Sequence, residues 1–275
     1  MKGGERMHYT VDGLVIREVC VGENDKMLTI LTPDRGRIGV MAKGSRSLKS
    51  QVLSTAQLYT YGNYEIYEKN DYKWLRSGSV IEGFFGLRND IELISLAAYL
   101  SDIAWELSGE DVPSVEMLRM TLNAFYALSN GIKSQEIVKG VYELRSAGFS
   151  GFMPDLSRCR YCKKDDSERF YLDVMNGALV CSDCIFRKST KERSAGVYEE
   201  GEERVVLLPM TQSVLAATRY ALFSPPERMF SFNLDGGEEI SMFSRLAEEY
   251  LLHHLERGFG SLDFYKSLKS LPTKK

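Results

Sequence analysis

Lys26-Met27-Leu28-Thr29-Ile30-Leu31-Thr32-Pro33-Asp34-Arg35-Gly36-Arg37-Ile38-Gly39-Val40-Met41-Ala42 is the stretch on which the fold turns. Two β-rich runs, Lys26 to Thr32 and Arg37 to Ala42, flank a turn with Pro and Gly placed where their φ preferences are wanted. Upstream, Thr10 to Val19 is a further strand, with Gly13 marking a bulge or bend. Downstream, Gln57 to Glu68 and Tyr72 to Ile81 form a hairpin across Lys69-Asn70-Asp71. Five short strands in about 75 residues, with bends rather than long helices, predict a small closed barrel of the OB or SH3-like kind.

After Asn89 the apolar period changes from two to about 3.6. Leu93, Leu96, Leu100, Ile103 and Leu107 form one stripe, which ends near Ser108-Gly109. Val115, Leu118, Leu122 and Phe125 form a second, between Pro113 and Asn130-Gly131, and Ile137, Val141 and Leu144 a third, which ends at Gly148. Three consecutive helices of this kind are expected to pack as a bundle. Farther on, Glu199 to Glu203 reads as an acidic linker and Thr211 to Phe223 as a helix stopped by Pro225-Pro226. Ile240, Phe243, Leu246, Tyr250 and Leu251 mark a final amphipathic helix. The expected class is therefore α+β, in four segments: a β-barrel over 1–84, a helical bundle over 85–150, a cysteine module over 151–195, and C-terminal helices over 196–275 that complete the helical domain.

Four of the five cysteines are clustered as C-x2-C, eighteen residues, C-x2-C: Cys159-Arg160-Tyr161-Cys162 and Cys181-Ser182-Asp183-Cys184. A two-residue gap lets one tight turn present both thiolates to a metal while its N–H groups face the sulfurs, and two such turns complete a tetrahedron. One zinc ion bound by Cys159, Cys162, Cys181 and Cys184 is the expected cofactor. Four thiolates close the shell and leave no position for a reacting water, so the ion is expected to be structural. Phe170 to Asp173 and Ala178 to Val180 read as a ribbon-like hairpin about a Met175-Asn176-Gly177 turn. Arg158, Arg160, Lys163, Lys164, Arg187, Lys188, Lys191 and Arg193 crowd the knuckles. They offset the −2 charge of a four-thiolate zinc, or make a second nucleic-acid contact; local electrostatics satisfies either.

Net charge is −3, yet residues 1–80 carry twelve Lys/Arg against nine Asp/Glu, so the acidic excess lies in the remainder. The densest positive stretch holds Lys26, Arg35, Arg37, Lys43, Arg46 and Lys49 against Asp34 alone. With the small, polar Gly44-Ser45-Arg46-Ser47, these six are the candidate phosphate contacts. Alone they would read equally as a solvated loop. They are followed by Tyr59, Tyr61, Tyr64, Tyr67, Tyr72 and Trp74, and basic grooves beside aromatics are how barrels of this class hold single strands. Aromatic residues are also favoured in strands for packing alone, so each has a core reading beside the stacking one.

No G-x-x-x-x-G-K-[ST], H-E-x-x-H or G-x-S-x-G occurs, and the adjacent His253-His254 pair points in two directions on its helix, so no enzymatic activity is expected. The longest apolar runs fall far short of the roughly 18 residues that span a bilayer, and Met1 to Arg6 has no signal-peptide core, so a cytoplasmic address is expected.

Tyr9-Thr10-Val11-Asp12-Gly13-Leu14-Val15, Gly22-Glu23-Asn24-Asp25-Lys26, Ala42-Lys43-Gly44-Ser45-Arg46 with Lys49-Ser50, Gly148-Phe149 and Met153-Pro154-Asp155-Leu156 before Cys159 are each modest motifs. In this order they resemble the RecO family of bacterial recombination mediators, over nearly the whole chain and in its zinc-bearing form. The resemblance implies an N-terminal OB-type barrel, a helical domain and a zinc module inserted between helices. It also implies a nucleoid-associated, non-enzymatic protein that binds single- and double-stranded DNA and anneals complementary strands. Its implied partners are RecR, the C-terminal tail of single-stranded-DNA-binding protein and, indirectly, the RecA recombinase. The reading from a different class is a zinc-containing protein-interaction scaffold with incidental nucleic-acid affinity; an RNA-processing enzyme with an OB domain is the weakest, for lack of a catalytic constellation.

Overall fold

The computed structural model describes residues 6–187 and 206–270. The acidic linker Glu199 to Glu203, and Lys188, Lys191 and Arg193, lie outside the described residues. Five strands close into a barrel in the order β1-β2-β3-β5-β4: β1 Arg6–Val21, β2 Asp25–Thr32, β3 Gly36–Ala42, β4 Tyr61–Lys69 and β5 Tyr72–Glu82. All ladders are antiparallel except the closing one, where β3 and β5 run parallel at Met41↔Trp74. Alternate residues point inward, and Val11, Val15, Leu28, Ile30, Ile38, Val40, Tyr64, Ile66 and Leu75 fill the core. Each such aliphatic or aromatic side chain contributes about 1.5–3 kcal/mol through burial. The Tyr64 hydroxyl, deep in that core, donates to the carbonyls of Thr55 and Thr60 at 3.2 and 3.0 Å.

Strand β4 begins four residues later than the sequence pattern suggests. Tyr59 has φ +63°, its N–H donates to the Val15 carbonyl at 2.8 Å, and Val15 N–H donates to the Thr60 carbonyl at 3.0 Å. The segment therefore crosses over the middle of β1 before it straightens, and the Tyr59 ring turns into the core, edge-on to Phe125 at 5.2 Å.

The chain divides into two compact units, residues 1–132 with 259–275, and residues 133–258. The first contains the barrel, helices α1 (Ile91–Leu107) and α2 (Val115–Ser129), and the helix Gly260–Lys269, which packs on α1. Asp90 caps α1 by accepting from Glu92 N–H at 2.7 Å. The turn between β2 and β3 is bound to the α1–α2 connection by three backbone hydrogen bonds: Arg37 N–H to Gly109 O, Asp111 N–H to Arg35 O and Ser114 N–H to Pro33 O, at 3.1, 3.0 and 2.8 Å. Gly36 sits at the centre of this contact with φ +58°, and a Cβ there would lie 2.2 Å from Gly109 O and 2.5 Å from Val112 O.

The second unit is built on α3 (Gln135–Phe149), buried on nearly every side against the helices Gln212–Phe223 and Gly237–Leu255. The third apolar stripe thus belongs with the C-terminal helices rather than with α1 and α2 in one bundle, and the four-segment division of the sequence is cut across by these two units. Ser134 and Thr211 accept from Ile137 and Val214 N–H, capping α3 and the helix after it. Gly140 allows α3 close to Phe243, whose ring would lie 2.6 Å from an added Cβ. A three-stranded sheet, β7-β6-β8, carries β6 Phe170–Asp173, β7 Ala178–Cys181 and the edge strand β8 Leu207–Met210. Among the described residues no helix is long and apolar enough to cross a membrane.

Charge is buried in this second unit. Lys139, 3 % exposed, donates to Glu143 at 2.9 Å and to Glu248 at 2.8 Å. Burial alone would push the ammonium's pKa down, but the two carboxylates outweigh it and hold the group above its ordinary value.

Two substitutions check these supports. Gly36→Ala is expected to destabilise the protein by about 2–4 kcal/mol, since it adds left-handed strain to a clash with backbone; an unchanged urea midpoint would mean that the turn relaxes away from its partner loop. Lys139→Met is expected to lose about 3–5 kcal/mol by removing the cation between the buried Glu143 and the partly buried Glu248 carboxylates. A loss below about 1 kcal/mol in the same measurement would show that their burial is compensated elsewhere.

Candidate nucleic-acid interface and metal centre

The six basic candidates fall into two sets. Lys26 is buried, donating to Glu18 at 2.9 Å and to the Ala56 carbonyl at 3.2 Å. Arg35 lies over the Tyr9 ring at 4.2 Å and pairs with Glu68 at 3.2 Å. Arg37 lies over the Trp105 indole at 4.0 Å and donates to the Trp105 carbonyl at 2.7 Å, while Arg17 covers the same ring at 4.7 Å. These three cations are engaged within the fold, in contacts of roughly 0.5–2 kcal/mol each for the ring interactions.

Lys43, Arg46 and Lys49 are exposed. Their loop is shaped against the β1–β2 turn: Gly44 N–H donates to the Asp25 carboxylate at 2.7 Å, and Arg46 N–H to the Asn24 carbonyl at 3.0 Å. The Arg46 guanidinium reaches the carbonyls of Gly22 and Glu23 at 3.4 and 2.9 Å. Two loops thus make one basic rim at the end of β3, with Leu48, 91 % exposed, between the cations. Carbonyl contacts leave the Arg46 charge unneutralised.

The aromatic candidates also separate. Tyr59 and Tyr64 are buried, and burial raises both phenols far beyond the ordinary range. Tyr61 is partly buried. Tyr67, Tyr72 and Trp74 point outward, on the face opposite Ile66 and Leu75, and continue through His8 on β1. Ring centroids are 4.8 Å apart for His8 and Tyr67, 5.6 Å for Tyr67 and Trp74, and 6.0 Å for Trp74 and Tyr72. Arg76 lies over Tyr67 at 4.9 Å. Neither His8 nor Arg76 was among the sequence candidates; the alternation that places Ile66 and Leu75 in the core phases both of them outward.

In the second unit the four cysteine sulfurs lie within 4.8 Å of one another. Cys159 and Cys181 are buried, and Cys181 N–H points at the Cys159 sulfur at 3.4 Å. Burial raises the Cys159 pKa, but N–H groups of Cys162, Cys181 and Tyr161 outweigh it and draw it down to about 6. Four sulfurs this close together, with N–H groups aimed at those of Cys159 and Cys181, suit a thiophilic dication better than they suit free thiols. Lys164 reaches Asp183 across the two knuckles, and Arg160 pairs with Asp173 at 3.3 Å, so both hold protein carboxylates.

Comparison with known proteins separates the barrel from the remainder of the chain. The profile described as Recombination protein O N terminal matches residues 7–84, and that described as Recombination protein O C terminal matches residues 88–263. The chain belongs to the RecO family. It is 28 % identical over 263 residues to the DNA repair protein RecO of Acetivibrio thermocellus, spanning 95 % of this chain and 98 % of that protein. The DNA repair protein RecO of Caldicellulosiruptor saccharolyticus is 24 % identical over 257 residues, 94 % of this chain and 97 % of its own length. That of Bacillus subtilis is 25 % identical over 209 residues, 76 % of each chain. RecO membership carries a role in DNA repair and recombination, with DNA and repair proteins as the partners of that role.

Proposed function

We infer that this RecO-family chain is a mediator of repair and recombination that binds single- and double-stranded DNA and acts by binding rather than catalysis. The observation that carries the reading is the exposed rim of Lys43, Arg46 and Lys49 beside a closed barrel. The strand order, with its parallel β3–β5 closure, supports the OB type, whose strands and loops in this region hold oligonucleotides. Phosphate contact at such a rim positions a strand without reading its sequence.

Annealing is the activity that fits a protein without a nucleotide motor. Neutralising phosphates on two strands lowers their mutual repulsion, and base pairing then supplies the free energy. Recombinase loading onto protein-coated single strands, with RecR, the single-stranded-DNA-binding protein tail and RecA as partners, rests on the family resemblance. A cytoplasmic, nucleoid-associated address rests on it as well. For the six predicted phosphate contacts, the reading narrows to Lys43, Arg46 and Lys49, because Lys26, Arg35 and Arg37 have partners within the fold.

We assign the four-cysteine cluster to one structural zinc held by Cys159, Cys162, Cys181 and Cys184, supported by the mutual approach of the sulfurs. When bound, the ion would supply folding free energy on the order of 10 kcal/mol and no chemistry, its shell being closed.

Reversing the rim charges in Lys43→Glu, Arg46→Glu, Lys49→Glu is expected to weaken binding to single strands and duplex alike. The log–log salt dependence for single strands should become shallower by about 2. Affinity that is independent of salt, or unchanged by the three reversals, would favour the scaffold reading instead. Elemental analysis of purified protein is expected to give one zinc per chain. Cys159→Ser or Cys181→Ser should abolish it and lower the melting temperature; folded wild-type protein without metal, never exposed to chelator, would sink the assignment.

A further inference from the structure

The outward aromatic row of the barrel has no role in the fold's core and none in phosphate binding. Along β4 and its neighbours the outer face changes character at Glu65. On one side, Asn63 donates to Asp12 at 2.7 Å and Ser77 donates to Glu65 at 2.6 Å, so the polar groups satisfy one another. On the other side His8, Tyr67 and Trp74 are in register across β1, β4 and β5, and Tyr72, two residues along β5 from Trp74 and 70 % exposed, continues the line of rings. A cross-strand ladder of rings stabilises a sheet wherever it lies. An outward row, however, leaves ring surface in water that an inward one would bury: His8 and Tyr72 are exposed, and Tyr67 and Trp74 between them are half-buried.

The surroundings of the row are those of a polyanion site. Arg76, itself exposed, covers Tyr67 from the β5 side, and Trp74 is paired with Met41 on β3, two residues before Lys43, the first cation of the basic rim. The nearby Glu68 carboxylate is held by Arg35 at 3.2 Å and by Lys73 at 3.5 Å, so it offers little repulsion to phosphate. On β3, next to Tyr72 and Trp74, Gly39 is exposed, and nothing lies within 4 Å of where its Cβ would be. The sheet is therefore open at its surface beside the rings.

We propose that this row, centred on Tyr67 and Trp74 with Tyr72 and His8 at its flanks, is a base-stacking platform that receives unpaired nucleobases of a single strand whose phosphates run along Arg76 and the Lys43 rim. The proposal rests on the nucleic-acid reading above and adds to it the barrel face and the strand preference. Phosphate contacts serve single strand and duplex alike, whereas a ring row serves only bases whose faces are free, which in a duplex are covered by their neighbours. Stacking is indifferent to base identity, so the platform discriminates by strandedness and not by sequence.

The test uses the full chain, oligothymidylate as a single strand without internal pairing, and a duplex of equal length. The chain has two tryptophans, and Trp105 is covered by Arg17 and Arg37, so Trp74 emission is the direct probe. It is expected to be quenched by oligothymidylate and not by duplex at the same phosphate concentration, and the quench should vanish in Trp74→Phe. Tyr67→Ala with Trp74→Ala should weaken oligothymidylate binding by about tenfold or more while leaving the salt slope and the duplex affinity unchanged. Trp74→Phe, which keeps a ring, should bind oligothymidylate within a few-fold of wild type. Wild-type single-strand affinity in the double alanine variant, with DNA binding otherwise intact, would overturn the platform alone and leave the face to a protein partner. Equal loss on single strand and duplex would overturn it too. Absence of binding to either DNA by wild type would bring down the nucleic-acid reading together with the platform.

Discussion

The docking of the β2–β3 turn onto the α1–α2 connection is the constraint on which the first unit depends. A turn at the mouth of a barrel would ordinarily project into solvent, with its backbone groups hydrated. Here Pro33, Arg35 and Arg37 use theirs to bond the segment between Gly109 and Ser114, and the three bonds are possible only because Gly36 brings backbone onto backbone without a side chain between. The neighbouring Trp105, held between Arg17 and Arg37, extends the same contact to the side of α1. Ser261, from the C-terminal helix, donates to Asp102 at 2.7 Å, and Asp102 in turn pairs with Arg17, so the last helix is fastened to the same cluster.

That constraint explains why residues of one type, within one short stretch, divide in role. Arg35 and Arg37 flank Gly36, so fixing the turn fixes them against Tyr9 and Trp105, where ring faces and acceptors replace the water they lose. Lys26 is drawn under the barrel wall by Glu18. Lys43, Arg46 and Lys49 lie past the end of β3, on a loop whose own hydrogen bonds run to the β1–β2 turn through backbone groups and Asp25. The loop is shaped without neutralising its lysines. Positive charge that is held in place but unpaired is what a phosphate backbone can use.

Much of the barrel was legible because its alternation is clean: Leu28, Ile30, Ile38 and Val40 are inward as a period of two requires. The four cysteines were legible because their spacing is itself a geometric statement, and the structure brings their sulfurs within 4.8 Å. Less legible was anything decided by a long-range partner. Gln57 to Thr60 has strand-like composition, yet a positive φ at Tyr59 and bonds to the middle of β1 take it out of the ladder. Leu207–Met210 contains Pro209, which argues against a strand, and it forms one at the sheet edge, where only β6 needs to be bonded. The helix Gly260–Lys269 buries Leu262 and Tyr265 and little else, too narrow a stripe to stand out from the sequence. The charged residues of 26–49 could not be sorted by composition, since a cation that stacks on tryptophan and one that awaits phosphate are the same residue until the tertiary contacts are known.

The chemistry of the two candidate sites also bears on what kind of work a RecO-family chain of this build can do. A four-thiolate shell, as proposed, would leave a metal no free position, so the cysteine turns would offer rigidity and not reactivity. On the proposed reading the first unit offers cations for phosphates and ring faces for bases. Both modes leave the hydrogen-bonding edges of the bases untouched, because a stacked base presents its face to the ring and its edge to solvent. A strand held by its edges would have to be released before it could pair. One held by backbone and face can begin to pair while still bound, so annealing requires no motor to strip the protein away first. Its binding need only be weaker than the pairing that replaces it, and an outward-facing row beside three unburied cations is suited to that more than a deep, edge-reading pocket would be.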